Sequence, residues 1–264
     1  MWISYAQNFE DVMLHRAFGS VTNGFYVDVG AWHPDIDSVT RHFYNMGWTG
    51  INIEPSKTYF KLLKKRRPRD INLDVAIGSR TRQQDYLEVP GSGLSSLDEN
   101  TAERGRKYGF VSQRYVVSVT TLKKICEEHC ANKVISFLKI DVEGSEKEVV
   151  ESLDWSRNRP IVVVVEAVHP DTRLPMWESW EHILLKAGYL FVWFDGINRF
   201  YLRRESEELR KHFIVPPGIA DGFVLNPHHP LCMRFGTRLR QGLKAIIPPI
   251  AYSFRARLLS AVRR

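Results

Sequence analysis

Three cysteines in 264 residues are too few, and odd in number, to form a disulfide framework; that scarcity suits a reducing compartment. No stretch approaches the roughly 18 consecutive apolar residues that a membrane span needs. The longest candidate, Ile161 to Val165, stops at Glu166, so no spanning helix is predicted. The opening residues, Met1-Trp2-Ile3-Ser4-Tyr5-Ala6-Gln7-Asn8, lack both a basic and a long apolar segment, which argues against a secretory signal. A cytoplasmic location is the expectation. Cys126, His129 and Cys130 fall within one helical turn of each other, but structural zinc wants four ligands and no second pair lies nearby, so idle thiols are expected.

Acidic residues are missing from one region only. From Arg234 to Arg264 there are eight basic residues and no acidic one, while the remainder carries 29 basic against 30 acidic; the net charge of +7 belongs to the tail. The chain is accordingly divided into a domain over residues 1–226 and a basic amphipathic tail over 227–264, interrupted by Pro248-Pro249. That tail has three readings: peripheral contact with an anionic membrane at its inner face, packing on the body, or a dimer contact. The other basic run, KLLKKRRPR at 61–69, has no interleaved aromatic residues. It is read as the exposed end of a helix, where cations favour the carbonyl end of the dipole, and nucleic acid is not expected as a partner.

What is present is 44% hydrophobic and 25% charged residues, the composition of a globular protein, arranged as strand-length apolar runs alternating with helical periodicity. Strands are predicted near 25–29, 50–54, 71–76, 134–141 and 161–166, and helices near 37–46, 57–67, 121–130, 145–153 and 176–187. The pattern predicts an α/β fold with a parallel sheet covered by helices. YLFVWFDGINRFYL then places two β-rich runs around Asp195-Gly196, an antiparallel hairpin closing the sheet. Residues 80–118 break the rhythm and read as an insertion near the active face or as an indifferent surface loop.

The first predicted strand ends in Asp28-Val29-Gly30-Ala31, as in a dinucleotide turn, but the second glycine of G-x-G-x-x-G is replaced by Trp32. An adenosine ligand without phosphates does not need that glycine, and S-adenosyl-L-methionine is such a ligand. Its ribose diol wants a carboxylate acceptor; Glu54, 24 residues beyond Gly30 at the end of GINIEP, has the right spacing, with helix capping before Pro55 as its alternative. Asp74 in NLDVAIG either faces the adenine amino group or is a surface turn residue. In SFLKIDVEGSE, Lys139 and Asp141 share one strand face, and a Lys in a buried strand must be paired. The pair is either a polar functional unit or a buried ion pair that fixes the fold. Glu143 and Glu166 add carboxylates at the same rim, with His169 just beyond.

YAQNFEDVML, YVDVGAWHPDIDSVTRHFYNMGWTGINIEP, FLKIDVEGSE, VVVVEA and FDGINRFYL, in that order over residues 4–223, together resemble the FkbM family of S-adenosylmethionine-dependent methyltransferases. Trp32-His33 departs from the family's usual Asn or His followed by Asp or Gly. The resemblance implies a class I methyltransferase (Rossmann-like) fold with a mostly parallel seven-stranded sheet, helices on both faces and a reversed C-terminal hairpin. It also implies methyl transfer to a hydroxyl, commonly of a sugar in polysaccharide or glycolipid assembly, so a glycan or other hydroxyl-bearing acceptor is the expected partner. On this resemblance Asp28, Gly30 and Ala31 form the cofactor turn, Glu54 the ribose acceptor, and Asp141 with Glu143 the fourth-strand motif. Gln7, Asp11 and Ser38 would touch the methionine end. An alcohol needs its proton removed, so Asp141, Glu143 or His169 is a candidate base. A divalent metal on Asp141, Glu143 and Glu166 is the less favoured alternative. The competing classes are a catalytically silent scaffold and a nicotinamide-dependent oxidoreductase.

Overall fold

A computed structural model describes residues 1–91, 93, 95–97, 111–169 and 172–232. The elements in order are β1 (Trp2–Ser4), α1 (Glu10–Phe18), β2 (Phe25–Val29), α2 (Arg41–Asn45), β3 (Thr49–Ile53), α3 (Lys57–Arg66), β4 (Ile71–Leu73), β5 (Ala76–Ile77), β6 (Arg82–Glu88), β7 (Gln113–Thr120), α4 (Leu122–His129), β8 (Phe137–Ile140), α5 (Glu146–Glu151), β9 (Val162–Glu166), α6 (Glu181–Lys186), β10 (Tyr189–Phe194), β11 (Asn198–Arg203) and β12 (Phe223–Leu225). Seven of these strands form one mixed sheet in the order β10-β11-β9-β8-β2-β3-β4. Pairings from β4 to β9 are parallel, and β11 runs antiparallel to both β9 and β10.

Period-two alternation explains why these segments are strands and how they are covered. Val27, Val29, Ile51, Ile53, Leu138, Ile140, Val163 and Val165 bury one face against Ile125 and Cys126 of α4, Val149 and Val150 of α5, and Leu184 of α6. Tyr26, Phe137, Val162, Val164, Phe200 and Leu202 bury the other against Met13, Leu14 and Phe18 of α1 and against Phe43 and Phe213. Both faces are therefore closed, which strands of nearly continuous valine and isoleucine require.

Four sequence expectations are corrected. The strand near 71–76 is two strands in different sheets, β4 in the large one and β5 in a small sheet of order β5-β7-β6. That small sheet also takes up residues 82–88 and 113–118 of the segment read as irregular: β6 and β7 pair antiparallel from Arg82↔Val119 to Glu88↔Gln113, carried by the alternation in RQQDYLE and QRYVVSVT. The predicted helix 37–46 begins only at Arg41. Finally, the 61–69 run is not wholly an exposed cationic end. Lys64, Lys65 and Arg66 are exposed, but Arg67 is fully buried. Its guanidinium donates to the Pro34 carbonyl at 2.7 Å and the Ser38 hydroxyl at 2.9 Å and lies 3.6 Å from Asp70. Helix α1 and the parallel β1–β12 ribbon were not anticipated. Among the described residues no helix is long and apolar enough to cross a membrane. The basic tail from residue 233 onward lies outside the described residues.

Candidate active site

The carboxyl ends of β2, β3 and β8 converge on a partly open cleft. Its lining includes Gly30, Trp32, Glu54, Tyr59, Asp141 and Glu143, so four of the sequence-derived candidates meet in one place.

At Gly30 the chain leaving β2 passes tightly against the end of β8. The Gly30 φ is +79°, and a Cβ there would stand 1.8 Å from the Asp141 carbonyl oxygen, so only glycine fits. The Asp141 amide donates to the Val29 carbonyl at 3.0 Å, and the Gly30 amide donates to Ile53, locking the three strand ends together. Ala31 is buried directly behind this turn, and its amide also donates to the Ile53 carbonyl, at 3.2 Å.

Glu54 is buried, and both of its carboxyl oxygens already accept backbone amides: Oε2 from Trp32 at 2.7 Å and Oε1 from Ser56 at 2.8 Å. Its two readings therefore coexist. It organises the entry to α3, whose N-cap is Ser56, and it lines the cleft with unused lone pairs. Burial pushes its pKa up to about 7, against the opposing pull of the two amides.

Lys139 is buried behind the rim. Its ammonium donates to the Gly30 carbonyl at 3.0 Å and lies 3.3 Å from Asp141 and 3.6 Å from Asp28. Burial works to lower its pKa, but Asp141 and Asp28 outweigh that and hold it above the usual lysine range. Asp28 also accepts from the Thr40 hydroxyl at 3.2 Å, and it does not line the cleft. Asp28 and Lys139 thus form a buried pair supporting the rim from beneath.

The remaining candidates lie elsewhere. Asp74 is exposed and outside the cleft lining; the neighbouring Val75, Ala76 and Ile77 form an apolar wall instead. Ser38 is buried on Arg67, the Gln7 carbonyl meets the His229 ring at 3.2 Å, and His169 lies in the loop after β9; none lines the cleft. Asp11 is buried under the N-terminal segment, accepting from the Ser4 hydroxyl and the Tyr5 amide, each at 2.7 Å. Among the described residues no group of three or more His, Cys, Asp or Glu side chains is placed to hold a metal ion.

Several lining residues escaped the sequence reading. Trp32, with a φ of +46°, packs its ring 5.5 Å from that of Tyr59. Strand β6 contributes Tyr86 and the chain beyond it Ser95, Ser96 and Leu97, and the Ser96 hydroxyl donates to the Glu143 carbonyl at 2.9 Å. Among the described residues of the segment 80–118, Tyr86, Gly93, Ser95, Ser96 and Leu97 thus line the cleft. Glu146 shapes the floor: its carboxyl accepts the Val142 and Gly144 amides at 3.1 Å, gathering the loop in which Glu143 and Gly144 both have positive φ. A family model described as Methyltransferase FkbM domain matches residues 28–191. No match to a curated protein was found.

Proposed function

The chain belongs to the FkbM methyltransferase family, and on that premise we propose that it moves a methyl group from S-adenosyl-L-methionine to a hydroxyl oxygen, that of a sugar in polysaccharide or glycolipid assembly. On this reading the mixed seven-stranded sheet is a class I methyltransferase (Rossmann-like) fold. The observation that carries the cofactor assignment is the cleft itself. It joins a glycine turn, a buried carboxylate and an apolar wall, and among the described residues it offers no run of glycine amides to cradle a pyrophosphate.

The residues fit the group. Glu54 keeps acceptor lone pairs in either protonation state and is assigned to the ribose hydroxyls. Val75, Ala76 and Ile77, with Trp32 and Tyr59, form the apolar part of the lining assigned to the base. Asp141 and Glu143 present negative charge where the sulfonium and ammonium would lie. When bound, the cofactor supplies an electrophilic methyl on a sulfonium whose leaving group is a neutral thioether. The protein's own share is to hold the acceptor oxygen in line, exclude water and take the hydroxyl proton. Asp141 and Glu143 line the cleft and His169 does not, so the carboxyl group of the rim is assigned the proton.

The test is to incubate the full chain with methyl-labelled cofactor and a set of neutral and acidic glycans, then locate the label by mass spectrometry. A labelled methyl ether on a sugar supports the reading; label on nitrogen or carbon, or label transfer confined to non-glycan acceptors, overturns it.

A further inference from the structure

Six of the fifteen large apolar side chains exposed among the described residues belong to the β1–β12 ribbon and the loop that leads into it: Met1, Ile3, Ile214, Val215, Ile219 and Val224. Ile3 and Val224 are register partners in the parallel ribbon, and both are exposed. Strand alternation turns their half-buried neighbours Trp2 and Phe223 the other way, against His15, His42 and Phe9.

One guanidinium holds the loop beside the ribbon. Arg16 of α1 pairs with the Asp221 carboxylate at 2.6 and 2.8 Å and donates to the Val215 carbonyl at 2.6 Å and the Pro216 carbonyl at 2.9 Å. The Trp2 indole donates to the Asp221 carbonyl at 3.2 Å. Residues 214–222, stiffened by Pro216 and Pro217, are thus fixed at the ribbon with Ile214 and Val215 exposed and Ile219 fully so. Aliphatic side chains held outward in one place form a patch, not the scatter that every surface carries.

The charge that accompanies this patch has one sign. Between Leu209 and Arg264 the chain has Arg210, Lys211 and the eight basic residues of the tail against one acidic residue, Asp221, already paired with Arg16. In the helical segment Arg204–Phe213 before the loop, Glu205 pairs with Arg159 at 2.8 Å and Glu207 with Arg210 at 3.8 Å, while Lys211 is exposed. Protein partners are gripped mainly through aromatic and arginine anchors, whereas a bilayer asks for apolar side chains at one depth with cations beside them. Each signal alone gives marginal attachment, and the two together give a stable one.

We propose that residues 214–222 and the outer face of the β1–β12 ribbon insert shallowly into a bilayer of anionic phospholipids, with the basic tail adding electrostatic attraction. This surface is independent of the methyl-transfer reading.

The test is flotation of the full chain with vesicles of phosphatidylcholine alone and of phosphatidylcholine mixed with phosphatidylserine. The mixed vesicles should carry the protein and the neutral ones should not, and high salt should weaken binding. Replacing Ile214, Val215 and Ile219 together by Ser should weaken binding to the mixed vesicles about tenfold or more. Because the three side chains are exposed, their replacement should leave the thermal midpoint unchanged. Ile219→Trp, which keeps an apolar anchor, should bind as wild type does. No binding to anionic vesicles overturns the proposal, and so does a triple variant that binds them as tightly as wild type, since charge alone would then suffice. Sedimentation of wild type as a dimer that the triple variant dissolves, without vesicle binding, assigns the patch to a second copy instead. A triple variant that binds vesicles more tightly assigns the patch to the tail, and either result overturns the proposal.

Discussion

Replacing Lys139 by Met removes the ammonium that stands 3.6 Å from Asp28 on β2, and the cost can be bounded in two ways. At 3.6 Å and an effective dielectric of about 20, the lost attraction to Asp28 is about 4–5 kcal/mol. Alternatively Asp28 takes up a proton in the folded variant. Holding that proton at pH 7, when the unfolded carboxyl ionises near 3.8, costs about 1.36 kcal/mol per pH unit, or about 4 kcal/mol. The cheaper route sets the loss, so Lys139→Met should lose about 3–4 kcal/mol at pH 7, in line with other broken buried pairs. The sign follows from the protons. The variant's folded state keeps one that its unfolded state releases above pH 3.8, so its deficit grows as pH rises and shrinks toward pH 4. The raised Lys139 pKa adds no slope near neutrality, since its stabilisation is complete below the unfolded value of 10.5 and is lost only in strong alkali. Asp28→Asn with Lys139→Met should recover most of the loss and remove the pH dependence. Urea denaturation at pH 4.5 and 7 measures all of this. A loss below about 1 kcal/mol, a loss equal at both pH values, or a double variant no better than the single one would refute a mainly structural role for the pair.

Gly30→Ala forces a Cβ to 1.8 Å from the Asp141 carbonyl, where carbon and oxygen need roughly 3.3 Å, so β2 and β8 must part. Thermal denaturation should show a loss of more than about 2 kcal/mol. Arg67→Met takes away the guanidinium donors to the Pro34 carbonyl and the cation 3.6 Å from Asp70, which keeps its bonds from Tyr26, Gly50 and Asn52, and should cost about 3–5 kcal/mol in urea. Arg67→Lys should not restore it, because one ammonium cannot reproduce the guanidinium's separate bonds to Pro34 and Ser38. His42 lies against His15 at 2.9 Å and under Trp2, and burial, followed by the His15 charge, holds its pKa at about 3. The unfolded histidine binds a proton below about 6.5, so this contribution is present above that pH and is lost as pH falls. Denaturation midpoints of wild type should therefore fall more steeply than those of His42→Asn between pH 7 and 4.5, and parallel profiles would contradict the assignment.

The central strands were legible because FYVDV, TGINI, FLKI and VVVVE are buried on both faces, so composition alone separates them from helices. Glu54 and Gly30 were legible because strand ends collect the residues that a ligand needs. Helix α1 was hidden by its own chemistry. Glu10 and Asp11 point inward, accepting from Asn198 at 2.8 Å and from Ser4 at 2.7 Å, so the polar residues that should mark its outer face lie on the inner one. Arg67 was misread for the same reason: a basic residue in a basic run becomes a buried one only through a carbonyl and a carboxylate brought from 33 residues upstream and 3 downstream. The pair β6–β7 was missed because its apolar alternation is diluted by Arg82 and Gln84 on the half-buried face, between the exposed Gln83 and Asp85. Trp32 could be read as breaking a dinucleotide turn, but not as a ring on Tyr59, since that contact depends on where α3 starts.

Calorimetry of S-adenosylhomocysteine, with NAD as the comparison, on wild type and Glu54→Leu tests most directly whether this cleft is a nucleoside site. Saturable binding of S-adenosylhomocysteine, none of NAD, and at least about tenfold weakening by Glu54→Leu are expected. Equal binding of NAD, or an affinity indifferent to Glu54, would contradict the assignment.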